Sequence, residues 1–264
     1  QEAVAAFGNG SVYIEKFLER ARHVEVQCIG DKHGGAVHLY NRDCTSQRRH
    51  QKLIEEGPAP GVPDEIRDQV CESAAALIRN ANYSGAATCE FLMDRNNDFY
   101  MLEVNTRVQV EHPVTEMITG VDIVKESILV AAGQPLSIRQ EDVRIDGHAI
   151  ECRINAEDPD RDFMPQAGLV EEYRTPGGLG VRVDSHVITG YRIPANYDSM
   201  IAKLIVHGRD RTEAIARMRS ALSEFKVGPG KTTIPLHMRL MGEPCFRDMD
   251  VDIHYVERLL EKAD

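Results

Sequence analysis

Apolar residues recur at two periods along this chain. Period two, the signature of a half-buried strand, marks residues 11–18 and 22–29, where Arg-His-Val-Glu-Val-Gln-Cys-Ile alternates cleanly. Gly34-Gly35 turns the chain into a third strand over Ala36–Tyr40. Ala86–Asp94 predicts a strand, Arg95-Asn96-Asn97-Asp98 a tight turn, and the chain then returns as a second strand. Helical spacing begins at Asp64, a predicted N-cap, and continues to about Asn82 with Ile66, Val70, Ala74, Leu77, Ile78 and Ala81 inward. A second helix is predicted from Thr115 to Gly133, with Ile118, Val121, Val124, Ile128 and Leu129 as its stripe. From Gly147 the texture changes to short strands at 148–155, 168–174, 180–184 and 199–207. A helix opened by Asp210 turns Ile215, Met218, Leu222 and Phe225 inward and stops at Gly228, and a last one begins near Asp252. This change of texture places a domain boundary near residue 146, dividing the chain into 1–146 and 147–264.

The stretch from Met101 to Met117 carries the chemistry. Extended, it puts Glu103, Asn105, Arg107, Gln109 and Glu111 on one face and Val104, Val108 and Val110 on the other. Such a polar face suits a site that holds a metal and an anion. If Asn96-Asn97 is a two-residue loop, Asp94 pairs with Phe99, Leu92 with Met101 and Glu90 with Glu103. Two carboxylates directly opposite repel, and a divalent cation between them removes the conflict. Asn105 adds a neutral oxygen on the same face. That set suits Mg²⁺ or Mn²⁺ with nucleotide phosphates completing the shell. An odd-length loop would slip the register by one residue and separate the two acids.

Composition narrows the partners. A net charge of −11 argues against nucleic acid and against an anionic membrane surface. No apolar run approaches the ~20 residues needed to span a bilayer. The six cysteines form no C-x-x-C pair and read as reduced thiols of a cytoplasmic protein. Beginning at Gln1 with no initiator Met, the chain reads as the interior of a longer polypeptide.

Three further features bear on chemistry. Gln47-Arg48-Arg49-His50-Gln51-Lys52 is a basic run, either a solvated loop or an anion-facing segment. Extended, it would put Arg48, His50 and Lys52 on one face, and a lysine aimed at a small anion is physically reasonable. Arg153 falls between Cys152 and Ile154 in an otherwise apolar strand, so it is either paired in the core or turned into a cleft. Pro176-Gly177-Gly178-Leu179-Gly180 lacks the Lys-Ser/Thr of a phosphate loop and reads as a turn.

Four segments together resemble biotin carboxylase, the ATP-grasp component of biotin-dependent carboxylases. They are Glu-Lys-Phe-Leu at 15–18, Arg-Asp-Cys-Thr-Ser-Gln-Arg-Arg-His-Gln-Lys at 42–52, Glu-Val-Asn-Thr-Arg-Val-Gln-Val-Glu-His-Pro-Val-Thr-Glu at 103–116 and Glu-Cys-Arg-Ile-Asn-Ala-Glu-Asp-Pro at 151–159. The wording at 111–120 and Ile253-His254-Tyr255 are most similar to the biotin carboxylase subunit of acetyl-CoA carboxylase, a fatty acid biosynthesis enzyme. Pyruvate and propionyl-CoA carboxylases share most of these motifs. The resemblance implies an α+β fold: the C-terminal portion of an ATP-grasp domain, an antiparallel sheet with helices, then a smaller mixed C-terminal domain.

The resemblance also implies roles. Glu15, Lys16, Phe17 and Leu18 would hold adenine, with His23, Gln47 and His50 near the nucleotide and Leu92 under the base. Glu90, Glu103 and Asn105 would bind two Mg²⁺ or Mn²⁺ ions bridging the ATP phosphates. Lys52, Arg107, Gln109 and Val110 would hold bicarbonate. Glu111 would be the base that deprotonates it for attack on the γ-phosphate, and Arg153 would stabilise the biotin enolate. The implied partners are a biotin carboxyl carrier protein, carboxyltransferase subunits and a second copy of the chain. The family's N-terminal domain and glycine-rich lid have no counterpart in this sequence, so residues 1–264 alone are expected to bind nucleotide weakly and turn over poorly. Two competing readings are another ATP-grasp ligase acting on a different carboxylate, and a non-catalytic dimerisation and carrier-docking module.

Overall fold

A computed structural model describes residues 1–261; the last three residues assigned to the second domain lie outside the described residues. Eight antiparallel strands form one sheet. They are β1 (Arg22–Gly30), β2 (Ala36–Arg48), β3 (Gln51–Gly57), β4 (Gly85–Met93), β5 (Phe99–Asn105), β6 (His148–Asn155), β7 (Val181–Ser185) and β8 (Met200–Gly208). Their order is β7-β8-β6-β3-β2-β1-β4-β5. β6 pairs with β3, Ile54 opposite Cys152 and Glu55 opposite Glu151. The sheet therefore runs unbroken across residue 146.

Alternation within the strands divides the sheet into a dry face and a chemical face. After a short exposed α1 (Glu2–Phe7), α2 (Asp64–Asn80) covers the dry face, where Val26 and Cys28 of β1 pack against its Cys71, Ala74 and Ile78, while His23, Glu25 and Gln27 point to the other side. At the other end of the sheet, Ile150, Cys152 and Ile154 of β6 join Leu204 and Val206 of β8. They pack on Ala214, Met218 and Leu222 of a helix over Arg211–Glu224. That helix buries Ile215, Met218 and Leu222 as the spacing predicts, and Phe225 just past its end is buried too.

Several expectations fail for identifiable reasons. Residues 11–18 form no strand, and Val12, Tyr13, Ile14 and Phe17 are exposed. Both edges of β1 are taken by β2 and β4, so the alternating segment has no partner there. The helix predicted over 115–133 is two: α3 (His112–Thr119), with Pro113 in its first turn, and α4 (Ile123–Ala131). Gly120, at φ 71°, ends the first in the left-handed region, and the Asp122 side chain caps the second by accepting from Lys125 N. The break rotates the buried stripe onto Ile123 and Val130 and leaves Val124 and Ile128 exposed. Pro63, not Asp64, occupies the cap position of α2. Leu77 there is exposed, and Cys71 and Ala75 are buried instead.

The strand expected at 168–174 is two short pieces. Gly168–Leu169 pairs with Arg192–Ile193, and Glu172–Arg174 with Lys226–Gly228. The helix after Asp210 (α5) therefore ends at Glu224, because the chain goes on into that ribbon. Two short helices, α6 (Ile234–Leu240) and α7 (Pro244–Arg247), follow before the last, α8 (Tyr255–Glu261).

Candidate active site

Glu90 and Glu103 do face each other across the β4–β5 hairpin, by a route the sequence argument misses. The loop holds five residues, Asp94 to Asp98, closed by Asp94 Oδ1 accepting from Asn96 N (2.8 Å) and Asp98 N (3.0 Å). That odd length sets Leu92 opposite Tyr100 and Phe91 opposite Met101, one residue out of the expected register. A β-bulge at Leu102 then absorbs one residue and restores Glu90 opposite Glu103.

The chemical face of the sheet lines an open cleft of about 760 Å³. His23, Gln47, His50, Lys52, Glu90, Leu92, Glu103, Asn105, Arg107, Gln109, Val110, Glu111 and Arg153 all line it, and so does Glu15. Lys16, Phe17 and Leu18 do not. They border a separate groove beside Asp94 and Arg95, and Lys16 Nζ donates to the Tyr100 hydroxyl at 2.6 Å.

The basic run is not extended. It closes the β2–β3 hairpin at Arg49-His50, both at positive φ, and this two-residue turn sets Gln47 opposite Lys52. Arg48 turns away and stacks over the Phe163 ring.

Lys52 is the hub. Its Nζ donates to Glu25 Oε2 (2.6 Å), Glu111 Oε1 (2.6 Å) and Glu90 Oε1 (3.1 Å). Arg153 donates from Nε to Glu55 Oε1 (2.6 Å) and from Nη2 to Glu111 Oε2 (3.0 Å). Each oxygen of Glu111, 1% exposed, thus sits on a cation. Glu90 is equally engaged: Gln109 Nε2 (2.7 Å) and Asn105 Nδ2 (2.9 Å) donate to its Oε1, and His23 Nε2 lies 2.8 Å from its Oε2. Asn105 Nδ2 also donates to Glu103 Oε1 at 2.9 Å. The Asn105 amide therefore sits between the two acids, where the hairpin argument puts a cation. Gln109 Oε1 is buried with no partner.

Burial alone would raise the Glu25 and Glu90 carboxyls. Arg42 and Lys52 outweigh it at Glu25, and the hydrogen bond from His23 together with the Lys52 charge outweighs it at Glu90, so both fall to about 2. Burial would lower Lys52, but the acids around it hold it above the usual lysine value. The centre is a network of fixed opposite charges open on one side to the cleft.

Two carboxylates and an amide side chain remain the hard-oxygen set that suits Mg²⁺ or Mn²⁺. His23, Glu25 and Glu90 also bring ligand atoms within 4.8 Å of one another.

Sequence reasoning passes over Glu25, Arg42, Glu55 and Glu151. Arg42, fully buried, donates from Nε to Glu25 Oε1 (2.7 Å) and from Nη1 to Thr115 Oγ1 (2.7 Å) on α3. The signal is present for Glu25, since the alternation in β1 puts it between His23 and Gln27. For Glu55 it is not, because bulges interrupt the β2–β3 pairing.

Comparison with known proteins agrees with this arrangement. Residues 1–139 match the family "Carbamoyl-phosphate synthase L chain, ATP binding domain" and residues 151–258 the "Biotin carboxylase C-terminal domain". The chain is 56% identical to the biotin carboxylase of Pseudomonas aeruginosa over 98% of its own length and 57% of that protein. A solved structure, the biotin carboxylase domain dimer of Hydrogenobacter thermophilus 2-oxoglutarate carboxylase with MgADP, ADP and bicarbonate, superposes with a TM-score of 0.93. Its identity is 47%, over 97% of this chain and 57% of that one. The crystal structure of the biotin carboxylase subunit of pyruvate carboxylase superposes with a TM-score of 0.92. Its identity is 46%, over 98% of this chain and 58% of that one. The chain thus spans a little over half the length of the relatives it matches.

Proposed function

Because the chain belongs to the biotin carboxylase family, we propose that it carries the bicarbonate- and biotin-reacting face of an ATP-dependent ligase that carboxylates biotin on a carrier protein. One observation carries the reading. Lys52 of β3, Arg153 of β6 and Glu111 ahead of α3, far apart in sequence, meet within hydrogen-bonding distance at one end of a nucleotide-sized cleft. No single local motif brings them together.

Glu15, His23, Gln47, His50 and Leu92 line the cleft where a nucleotide would lie. Glu90, Glu103 and Asn105 would hold Mg²⁺ or Mn²⁺. When bound, the metal neutralises phosphate charge; the remaining roles belong to the chain's own side chains. Arg107 and Lys52 offer cations to bicarbonate, and Gln109 and Val110 line the cleft beside them. Glu111 is the base. Lys52 and Arg153 each donate to one of its oxygens. Its proton-accepting lone pairs become available as the incoming anions draw those two cations onto themselves. Arg153 then faces the negative charge that develops on the biotin ureido oxygen, a preorganised counter-charge in a site sheltered by the sheet.

The partners proposed are a biotin carrier domain, a carboxyltransferase that consumes the carboxybiotin, and a second copy of this chain, with the cytoplasm as the compartment. The acetyl-CoA, pyruvate and 2-oxoglutarate enzymes would share this half-reaction. The test is ADP release with Mg-ATP and free biotin, with and without bicarbonate. Bicarbonate-dependent release is expected, slow with residues 1–264 alone, and Glu111→Gln should lower kcat by ~10²–10⁴-fold. Release that ignores bicarbonate, or that another carboxylate substrate supports, would assign the chain to a different ATP-grasp ligase. Carrier binding with no activity that responds to Glu111→Gln or Arg153→Ala would favour a docking module.

A further inference from the structure

Behind Arg153 the β3–β6 register sets Glu55 directly opposite Glu151, and neither side chain reaches solvent. Glu55 gives one oxygen to Arg153 Nε at 2.6 Å. Its other oxygen and both oxygens of Glu151 are buried without a hydrogen-bond partner. Facing carboxylates in a sheet repel. A buried ionised carboxylate with no partner neutralises by binding a proton rather than staying charged.

The neighbours supply too little positive charge for two anions. Lys52 already serves Glu25, Glu90 and Glu111. Lys203, opposite Arg153 on β8, gives its Nζ to Val110 O at 2.9 Å and lies 3.6 Å from Asp184. Arg182 is paired with Asp184 and with Glu116 of α3. His112 at the start of α3 is driven toward its neutral form by burial. Burial likewise keeps the Cys44 and Cys152 thiols protonated. On the opposite face of the sheet, Glu56 is taken up by His148 and Arg211. Arg153 is left with Glu55 and Glu111 as acids in contact.

We propose that Glu55 and Glu151 hold one proton between them, so that the pair presents a single negative charge to Arg153 Nε, and that Glu55 is the positioning residue for the Arg153 guanidinium. The balance of burial and charge agrees. Burial is the main cause at both sites; it leaves Glu55 at about 7 despite Arg153 and pushes Glu151 well above the usual carboxyl range. The proton keeps the second acid from pulling Arg153 back into the sheet, so its Nη2 remains on Glu111 at the cleft. The positioning role rests on the proposed function, whereas the shared proton does not.

The test has two independent arms. The first needs no activity. A protonated carboxyl should be visible by infrared difference spectroscopy at pH 7 in the wild type and absent from Glu151→Gln. Because the folded-state proton affinity of the pair is raised, the stability the proton confers is full below pH 4.5 and is lost as pH rises through the pair's raised folded-state value. The Tm of the wild type should therefore fall relative to Glu151→Gln over that range. Identical infrared spectra with parallel Tm profiles would overturn the shared proton.

The second arm is kinetic. Glu55→Gln should lower kcat/KM for free biotin at least tenfold while KM for ATP stays within twofold. Glu151→Gln should shift the alkaline limb of the biotin pH profile. Equal loss for ATP and biotin, or no loss, would overturn the positioning role. If Glu55→Gln does not fold, the Glu151→Gln limb decides, and an unmoved limb overturns the role. Turnover in the wild type that ignores bicarbonate would sink the proposed function and leave the first arm standing.

Discussion

Glu90 and Glu103 look equivalent in the sequence and are not equivalent in the molecule. Glu90 is 6% exposed and accepts from Lys52, Asn105, Gln109 and His23. Glu103 is exposed and takes a side-chain bond from Asn105. Removing Glu90 would strand buried donors, so Glu103→Gln is the clean probe of the proposed metal site. It should raise the Mg²⁺ concentration for half-maximal nucleotide binding by at least the ~10–100-fold typical of lost outer-sphere partners. Stability should stay within ~0.5 kcal/mol, as for an exposed substitution. Titration calorimetry of Mg-ADP checks the first and urea unfolding the second. Unchanged metal dependence would remove Glu103 from the ligand set.

The elements owe their positions to small irregularities. A five-residue loop and one bulged residue, Leu102, together bring the two acids of β4 and β5 face to face. Either alone would turn Glu103 and Asn105 to the other side of the sheet. At the opposite end, α5 is fastened to the sheet by its first residue. Arg211 donates from Nε (2.6 Å) and Nη2 (3.0 Å) to the carboxylate of Glu56 on β3, which also meets His148 Nε2 at 2.9 Å. Burial would raise the Glu56 carboxyl, but His148 and Arg211 outweigh it and hold it at about 2. A depressed carboxyl stabilises above its unfolded value and loses that contribution as pH falls through the folded one. Glu56→Gln should therefore cost ~3 kcal/mol near neutrality, the scale of a broken buried ion pair. Its deficit against wild type should close as pH falls from about 4.5 to about 2. Urea unfolding at a series of pH values measures this, and a constant deficit would refute the ion-pair account.

At the scale of the whole molecule, the change of texture near residue 146 does not interrupt the sheet. β3 contributes Leu53 and Ile54 to the core built on β6, β8 and α5, and Arg153 of β6 completes the site begun on β3. Separating the two halves would expose a strand edge on each and dismantle the charge network. One cooperative transition is therefore expected. With no Trp in the chain, far-ultraviolet dichroism and hydrogen exchange at β1 and β8 are the probes. Two resolved transitions would show that the halves fold independently.

Local pattern alone determined the inward stripe of α5 and the alternation of β1, but not the polar face from Glu103 to Glu111: β5 ends at Asn105, and Arg107, Gln109 and Glu111 reach the cleft from the irregular chain that follows, with Val110 beside them. Side-chain direction follows from backbone period without reference to anything distant. The resemblance in four motifs pointed to the residues that line the cleft. Tertiary structure alone decided the rest. Residues 11–18 alternate like a strand but find no partner edge. Gly120 splits one apolar stripe into two helices. Glu55 and Glu151 become neighbours only when β3 and β6, nearly a hundred residues apart, are laid side by side. Register between distant strands is set by bulges, loop lengths and the burial they jointly permit, and none of these is a property of a local window.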